Sequence, residues 1–578
     1  MAGISAGRCP RAGWAKRTIW RQAWIAILMM ALVAGPAAGA AAGAPDAGTG
    51  GTAVAATAGN PPATSTAAAG HASGDTVRLQ LLAINDFHGA LQPRTLQGRP
   101  IGGAAVLAAY LDHWEREARK EGFTTLRVGG GDLVGASPPV SALLQDEPTI
   151  EVLDRMGLRY SAVGNHEFDE GTAELRRLQE GGCHPNTGCF RGAKFQYLTA
   201  NVVDQQTGEP FFPPYAIERV RGVPVGFIGV TLKETPTIVT PTGVAGVRFL
   251  DEAASVNRYV EELKRQGVEA IVVLLHQGGT GDRHGGPISG PVVPIVEAMD
   301  DEVDVVISAH SHQGYWGFID GKLVTQAYAN GTAFADIDLI LDRETGEVID
   351  KRARIVDTYG DIAPGTEPDK QIARLVAEAA ERVAPLVNRV VGTAADDITR
   401  QQTPAGESEL GNLIADAQRW AMGTQVAFMN PGGIRADIAA GEVTWGELYE
   451  VQPFGNDLVR MTLTGAQIEQ LLEQQWLNQP YPRILQVSGL TYAWDPGAPV
   501  GDRVDPADIR IGGEPLDLQA EYTVTVNSFL AAGGDNFTVL TEGKNRVVGP
   551  PDIDALVAYV EQLPQPFDAR IEGRISLR

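Results

Sequence analysis

Five short islands of the chain carry histidine, aspartate or asparagine, three of them with aspartate or asparagine and two with histidine alone. They are Asn85-Asp86-Phe87-His88, Gly130-Gly131-Asp132, Gly164-Asn165-His166-Glu167-Phe168-Asp169, Leu275-His276-Gln277-Gly278-Gly279 and Ala309-His310-Ser311-His312. Together they offer carboxylate and amide-carbonyl oxygens beside imidazole nitrogens. That donor mixture suits a pair of divalent cations such as zinc or manganese. One island alone reads as an ordinary turn beside a satisfied histidine, because Gly, Asn and Asp are turn formers. Five of them, one carrying two imidazoles, go beyond that reading.

Each island follows an apolar run with the length and composition of a buried parallel strand: 79–84, 126–128, 160–163, 271–275 and 303–307. In open α/β sheets the ligand site lies just past the carboxyl ends of the strands. The five runs therefore predict one crevice into which all five islands project. Helical periodicity over 104–120 and 253–266 alternates with these runs, which predicts an α/β sandwich over 76–357. The apolar spacing of Ile372, Leu375, Val376, Ala379 and Val383, started by Glu367-Pro368-Asp369, predicts a helix over 370–391. It reads either as a stiff joint between domains, within a linker at 358–391, or as a core helix of one of them.

The remaining segment, 392–578, has no island with metal-ligand spacing. A helix entry at 406–417 carries Glu407 and Asn412. Three Gly-rich turns carry aromatic and polar groups: Asn430 to Arg435, Gln452 to Asn456 around Phe454, and Asn527 to Phe537 with Phe529 and Asp535. Aromatics and an arginine on such turns suit a planar base and a charged group, through stacking and bidentate contacts. Read without the other segments, each is a turn with a core phenylalanine.

The ends of the chain bound its location. Arg8, Arg11, Lys16, Arg17 and Arg21 precede a short apolar run at 23–34, and Ala38-Gly39-Ala40 follows as a cleavage site, so 1–40 reads as a signal peptide. The run is short for a membrane span; an uncleaved anchor is the alternative. Residues 41–75, nearly all Ala, Gly, Thr, Ser and Pro, read as a disordered linker. The protein is thus expected to be exported, periplasmic or secreted, with no membrane anchor after cleavage. Export makes a disulfide the expected state of Cys183 and Cys189, two free thiols being the alternative. Without residues 1–40 the chain has 42 Lys+Arg against 71 Asp+Glu, a formal net charge of −29. That argues against a nucleic-acid polymer as partner. It leaves a mononucleotide open, since bound cations reverse the local potential.

As a set, the islands resemble the motifs of the calcineurin-like metallophosphoesterases, and the forms Asn85 to Gly89 and Gly164 to Asp169 resemble the 5'-nucleotidase and UDP-sugar hydrolase family. The likeness covers roughly 76–578. It implies a four-layer metallophosphoesterase sandwich joined by a helix to a second, α+β, nucleotide-binding domain. It implies two divalent ions (zinc, manganese or cobalt), with Asp132 bridging them, Asp86, His88 and His312 on the first, and Asn165, His276 and His310 on the second. A glutamine stands at the position of His312 in part of the family. The resemblance also implies a catalytic pair, His166 and Asp169, a metal-bridging water as nucleophile, and a substrate site of Asn430, Arg435, Phe454, Phe529 and Asp535. Glu167 reads as a helix-start residue. An arginine often found shortly before the Gly-Asn-Leu-Ile-Ala-Asp run is missing, with Pro404, Ala405 and Gly406 in its place and Arg400 the nearest cation. The implied activity is phosphate release from nucleoside 5'-monophosphates. Alternatives are hydrolysis of UDP-sugars, dinucleotides or 2',3'-cyclic nucleotides, and a non-catalytic nucleotide-binding surface protein.

Overall fold

The computed structural model describes residues 76–578, so the expected signal peptide and linker fall outside the described residues. Along the first strand, Thr76–Ile84, side chains of Val77, Leu79, Leu81 and Ala83 enter one buried cluster while Leu82 and Ile84 enter another. A strand apolar on both faces has to be covered on both sides. One cover is a second sheet and the other a layer of helices.

Two six-stranded sheets make the first part of the chain. The first runs Val348–Asp357, Ala333–Asp342, Thr76–Ile84, Thr124–Gly129, Leu158–Ala162 and Gln196–Leu198, with the last four parallel. The second runs Tyr215–Val220, Val223–Thr231, Ala270–His276, Val303–Ser308, Lys322–Ala327 and Gly314–Ile319, with the four from Val223–Thr231 to Lys322–Ala327 parallel. Leu79, Leu81, Phe227, Val272, Leu274 and Ile307 fill the space between the sheets. Helices Ala104–Lys120, Glu147–Arg155 and Thr172–Glu180 cover the first sheet, and Glu252–Arg265 and Val292–Glu297 cover the second. The result is four layers, helix, sheet, sheet, helix.

The helix Lys370–Val387 is capped by Asp369, whose carboxylate accepts from Gln371 and Ile372 N–H. It ends at Val387 rather than at 391. Asn388 caps it, and the β-branched pair Val390-Val391 begins the strand Val390–Ala394, which pairs with Gly441–Thr444. Ile372, Ala379 and Val383 bury into the core of the first part, against helices Ala104–Lys120 and Glu147–Arg155. Its far end meets the helix Trp445–Val451, where a Cβ on Gly446 would lie 2.5 Å from Val387. It is a core helix of one domain and a contact to the other at once.

The second part is built on a five-stranded sheet, Gln486–Ser488, Val426–Met429, Glu521–Asn527, Asp457–Thr464 and Lys544–Pro551. Its faces carry two clusters, one around Phe428, Leu463 and Ile468, the other around Leu410, Ile414 and Leu556. The helix near 409 starts later than its polar lead suggests, at Glu409, because Ser408 is the residue whose side chain accepts from Gly411 N–H. Among the described residues no helix is long and apolar enough to cross a membrane. Cys183 and Cys189 form a disulfide across the hairpin Gly182–His184 and Gly188–Phe190.

Candidate active site

The five islands meet, but from two sheets. Thr76–Ile84, Thr124–Gly129 and Leu158–Ala162 of the first sheet deliver Asp86, His88, Asp132 and Asn165. Ala270–His276 and Val303–Ser308 of the second deliver His276, His310 and His312. Asp86, His88, Asp132, His310 and His312 all have positive φ, between 48° and 69°. Non-glycine residues rarely adopt that conformation, and clusters of it mark sites where surrounding structure holds strain for function.

Donor atoms gather in two groups, Asp86, His88 and His312, and Asp132, His276 and His310, each within 4.8 Å. Asp132 Oδ2 stands between the groups, 3.1 Å from His276 Nε2 and 3.9 Å from His88 Nε2. The histidines are aimed by backbone. His88 Nδ1 lies 2.9 Å from the Gly135 carbonyl and His276 Nδ1 lies 2.9 Å from that of Gly130. A carbonyl only accepts, so each Nδ1 carries a proton and each Nε2 faces the cluster. Asn165 Oδ1 is 3.2 Å from His276 Nε2, and His88 Nε2 is 3.2 Å from His312 Nε2. Burial pushes His310 and His312 down to about 3 and raises the Asp86 carboxyl. Asp132 is 1% exposed and Asp86 0%; carboxylates so buried require cationic partners. His276 goes the other way from His310 and His312: burial acts to lower it, but Asp132 outweighs that and raises it to about 9. Imidazoles and buried carboxylates converging without a lysine or arginine among them fit divalent ions.

His166 lies beside this cluster, with its N–H donating to Asp132 Oδ1 at 2.8 Å. Its Nδ1 donates to Asp169 Oδ2 at 2.9 Å, and Asp169 is held by Ala136 N–H at 3.1 Å. Burial acts to lower the His166 pKa, but Asp169 and Asp132 outweigh it and raise it. Glu167, read above as a helix-start residue, does more than begin the short turn His166–Phe168. It is 3% exposed, and its carboxylate accepts from Asp132, Leu133 and Gly164 N–H at 2.9, 2.7 and 2.6 Å. It clamps the loops that carry Asp132 and Asn165. Sequence reading missed this because the three donors are backbone groups brought together only by the sheet.

From the second domain, Asn430, Arg435, Phe454, Phe529 and Asp535 all line one cavity with Asn165, His166, Asp169 and His310. The Phe454 ring stacks on His166 at 5.7 Å between centroids and 19° between planes, and the Arg435 guanidinium lies 5.7 Å over Phe454. Asn456 ties the two phenylalanine turns together: its Oδ1 accepts from Ser528 Oγ at 2.9 Å and Phe529 N–H at 3.2 Å. A Cβ on Gly534 would fall 2.5 Å from the Phe529 ring, so glycine there seats the ring. Asp535 receives Asn430 Nδ2 at 3.0 Å and pairs with Arg483 at 3.2 Å. Arg483, Tyr481 and Asn527 also line the cavity. Arg483 and Tyr481 went unnoticed in the sequence because the stretch around them has neither a Gly-rich turn nor ligand spacing. Arg400, the nearest cation to the missing arginine, reaches a neighbouring cavity lined by His88 and His312.

Comparison with known proteins agrees with this geometry. The pattern of the calcineurin-like phosphoesterases matches residues 79–314, and that of the 5'-nucleotidase C-terminal domain matches 390–542. The chain is 39% identical over 513 residues to Endonuclease YhcR of Bacillus subtilis (strain 168), covering 87% of this chain and 41% of that protein. It is 36% identical over 535 residues to Cell wall protein Lmo0130 of Listeria monocytogenes, covering 85% and 68%. The chain thus spans less than half the length of the first relative and about two thirds of the second. A 5'-nucleotidase precursor from Thermus thermophilus, known from its crystal structure, superposes with a TM-score of 0.73 at 33% identity, covering 86% of this chain and 99% of that one. The chain belongs to the 5'-nucleotidase family, with a calcineurin-like phosphoesterase domain followed by a 5'-nucleotidase C-terminal domain.

Proposed function

We propose that this protein releases phosphate from nucleoside 5'-monophosphates. The observation that carries the reading is the single cavity that holds Asn165, His166 and His310 at one end and Phe454, Phe529, Asn430 and Asp535 at the other. A phosphate at the first end and a nucleoside at the second is what such a cavity suits. In this reading Asp86, His88 and His312 would hold one divalent ion, Asn165, His276 and His310 would hold another, and Asp132 would serve both. When bound, the two ions supply charge stabilisation for the attacking and departing oxygens.

The protein's own groups do the rest. Water contributes the oxygen of the new P–O bond, and the bond from phosphorus to the nucleoside 5'-oxygen breaks. His166, kept protonated by Asp169, gives its proton to that departing oxygen and is recharged by the proton that water loses. Asn165 contributes a neutral carbonyl, which limits the negative charge facing a phosphate. Phe454 and Phe529 flank the base, Asn430 meets its edge, and Asp535 accepts from ribose hydroxyls while Arg483 and Asn430 hold it in place. Arg435 faces the phosphate. The basic and apolar leader and the Cys183–Cys189 disulfide support an exported protein, periplasmic or secreted.

The test is a phosphate-release panel of AMP, UDP-glucose, a dinucleotide and 2',3'-cyclic AMP, run after chelation and again with manganese or zinc restored. AMP should be the best substrate and should need the added metal. A preference for another arm would move the substrate assignment. Silence across the panel with both metals bound would leave a nucleotide-binding protein without catalysis.

A further inference from the structure

Two cavities meet at the ligand cluster. The nucleoside cavity reaches it through Asn165 and His310; the other reaches it through His88 and His312. Arg435 lines both, and the second cavity adds Arg94, Arg400 and Glu450. Arg94 comes from the first domain, on the hairpin Arg94–Leu96 and Arg99–Ile101. Arg400 is fixed beside Arg435: its Nη1 donates to the Ile434 carbonyl at 3.1 Å and its backbone N–H to Asp437 Oδ1 at 2.8 Å. The segment Pro404 to Gly406 brings no cation to the cluster. Its glycine is packed against Ile484, and the Gly406 carbonyl accepts from Gln486 Nε2 at 2.7 Å.

Three guanidiniums line this cavity against Glu450, with Asp437 4.0 Å from Arg400 Nε, which leaves an excess of positive charge beside the cluster. Arg94, Arg400 and Glu450 are exposed at the mouth of this cavity, where Glu450 favours and Arg400 disfavours the charge on Arg94. A phosphomonoester near neutral pH carries close to two negative charges and three outer oxygens. A diester carries one charge, and its second organic arm needs space of its own. Guanidinium forks match the first far better than the second.

Resting on the phosphohydrolase reading above, we propose that Arg94 is a specificity-determining residue: it completes, from across the domain boundary, a three-arginine chamber for the outer oxygens of a terminal phosphate, and so favours monoesters over diesters. Glu450, which lines the same cavity, tempers that charge.

The experiment uses the metal-loaded protein and the variants Arg94→Ala, Arg94→Lys and Glu450→Gln. kcat/KM is measured on a nitrophenyl phosphate monoester and on the bis-nitrophenyl diester, and inorganic phosphate binding by calorimetry. Arg94→Ala should lose roughly ten- to hundredfold on the monoester, and weaken phosphate binding by a similar factor, the usual range for a charged hydrogen bond. The diester should change far less. Arg94→Lys should fall between, and Glu450→Gln should tighten phosphate binding. Equal losses on both esters, or phosphate binding unmoved in both Arg94→Ala and Glu450→Gln, would overturn the proposal. Neither ester carries a nucleoside, so a failed preference for AMP would sink the nucleotide reading and leave this one standing.

Discussion

Asp132 belongs to one donor group and faces the other, its Oδ2 3.1 Å from His276 Nε2 and 3.9 Å from His88 Nε2. Removing its carboxylate should therefore empty both sites together. Asp132→Ala is expected to abolish phosphate release and to lower bound metal from two ions per chain, measured by elemental analysis after dialysis. Two retained ions with near-normal turnover would exclude a shared carboxylate. His166 lies in a different position, bonded to Asp169 and beside the donors without belonging to either group. His166→Asn should keep the metal content while turnover falls on the order of 10²–10⁴-fold, the range for a positioned acid–base group. Metal lost along with activity would make His166 a ligand instead.

At the scale of elements, the turns that carry Phe454 and Phe529 depend on what lies under them. Gly534→Ala would place a methyl group 2.5 Å from the Phe529 ring and displace it. The expected result is a rise in KM for AMP with little change on a small aryl phosphate; unchanged kinetics on AMP would show that the ring has another seat. The helix Asp552–Gln562 begins beneath the other turn, where Asp552 N–H donates to the Asn456 carbonyl at 2.8 Å. Burial, with Asp457 and Asp554 nearby, pushes the Asp552 carboxyl up to about 8 from an ordinary value of 3.8. The folded state then favours the protonated form. Its contribution to stability is complete below about pH 4 and is lost as pH rises through 8. Thermal unfolding followed from pH 4 to 9 should show Asp552→Asn with a flatter decline than the wild type over this window. Parallel curves would mean that Asp552 is ionised in the folded protein.

At the scale of the whole molecule, the groups proposed for chemistry and for recognition come from different domains. The first supplies every metal-ligand candidate and the His166–Asp169 pair, the second supplies Phe454 and Phe529, and the cavity exists only where they meet. Losses should separate accordingly. Phe454→Ala or Phe529→Ala should lower kcat/KM for AMP about five- to hundredfold, from stacking worth roughly 1–3 kcal/mol per base. Hydrolysis of a small aryl phosphate should fall much less. Equal losses on both substrates would mark the two residues as core aromatics whose removal harms the fold.

How much of this was legible in the sequence follows from the range of the interactions involved. The donor islands could be read because each is local: a β-strand ends, a Gly-rich turn follows, and the polar groups of one turn reach the crevice together. The Ala104–Lys120 helix and the apolar run of Thr76–Ile84 were likewise set by local pattern, as was the closure of Cys183 on Cys189 over a short hairpin. The division of the islands between two sheets was not legible, because strand pairing joins residues as far apart as Thr76 and Asp342. The same limit hid Glu167, which serves backbone N–H groups of a distant loop, and Arg483, which reaches Asp535 across 52 positions of sequence. It hid Arg94 as well, since only the docking of the two domains brings it to Arg400. The sequence alone determined which groups could do chemistry; long-range pairing and domain contact decided which of them face each other.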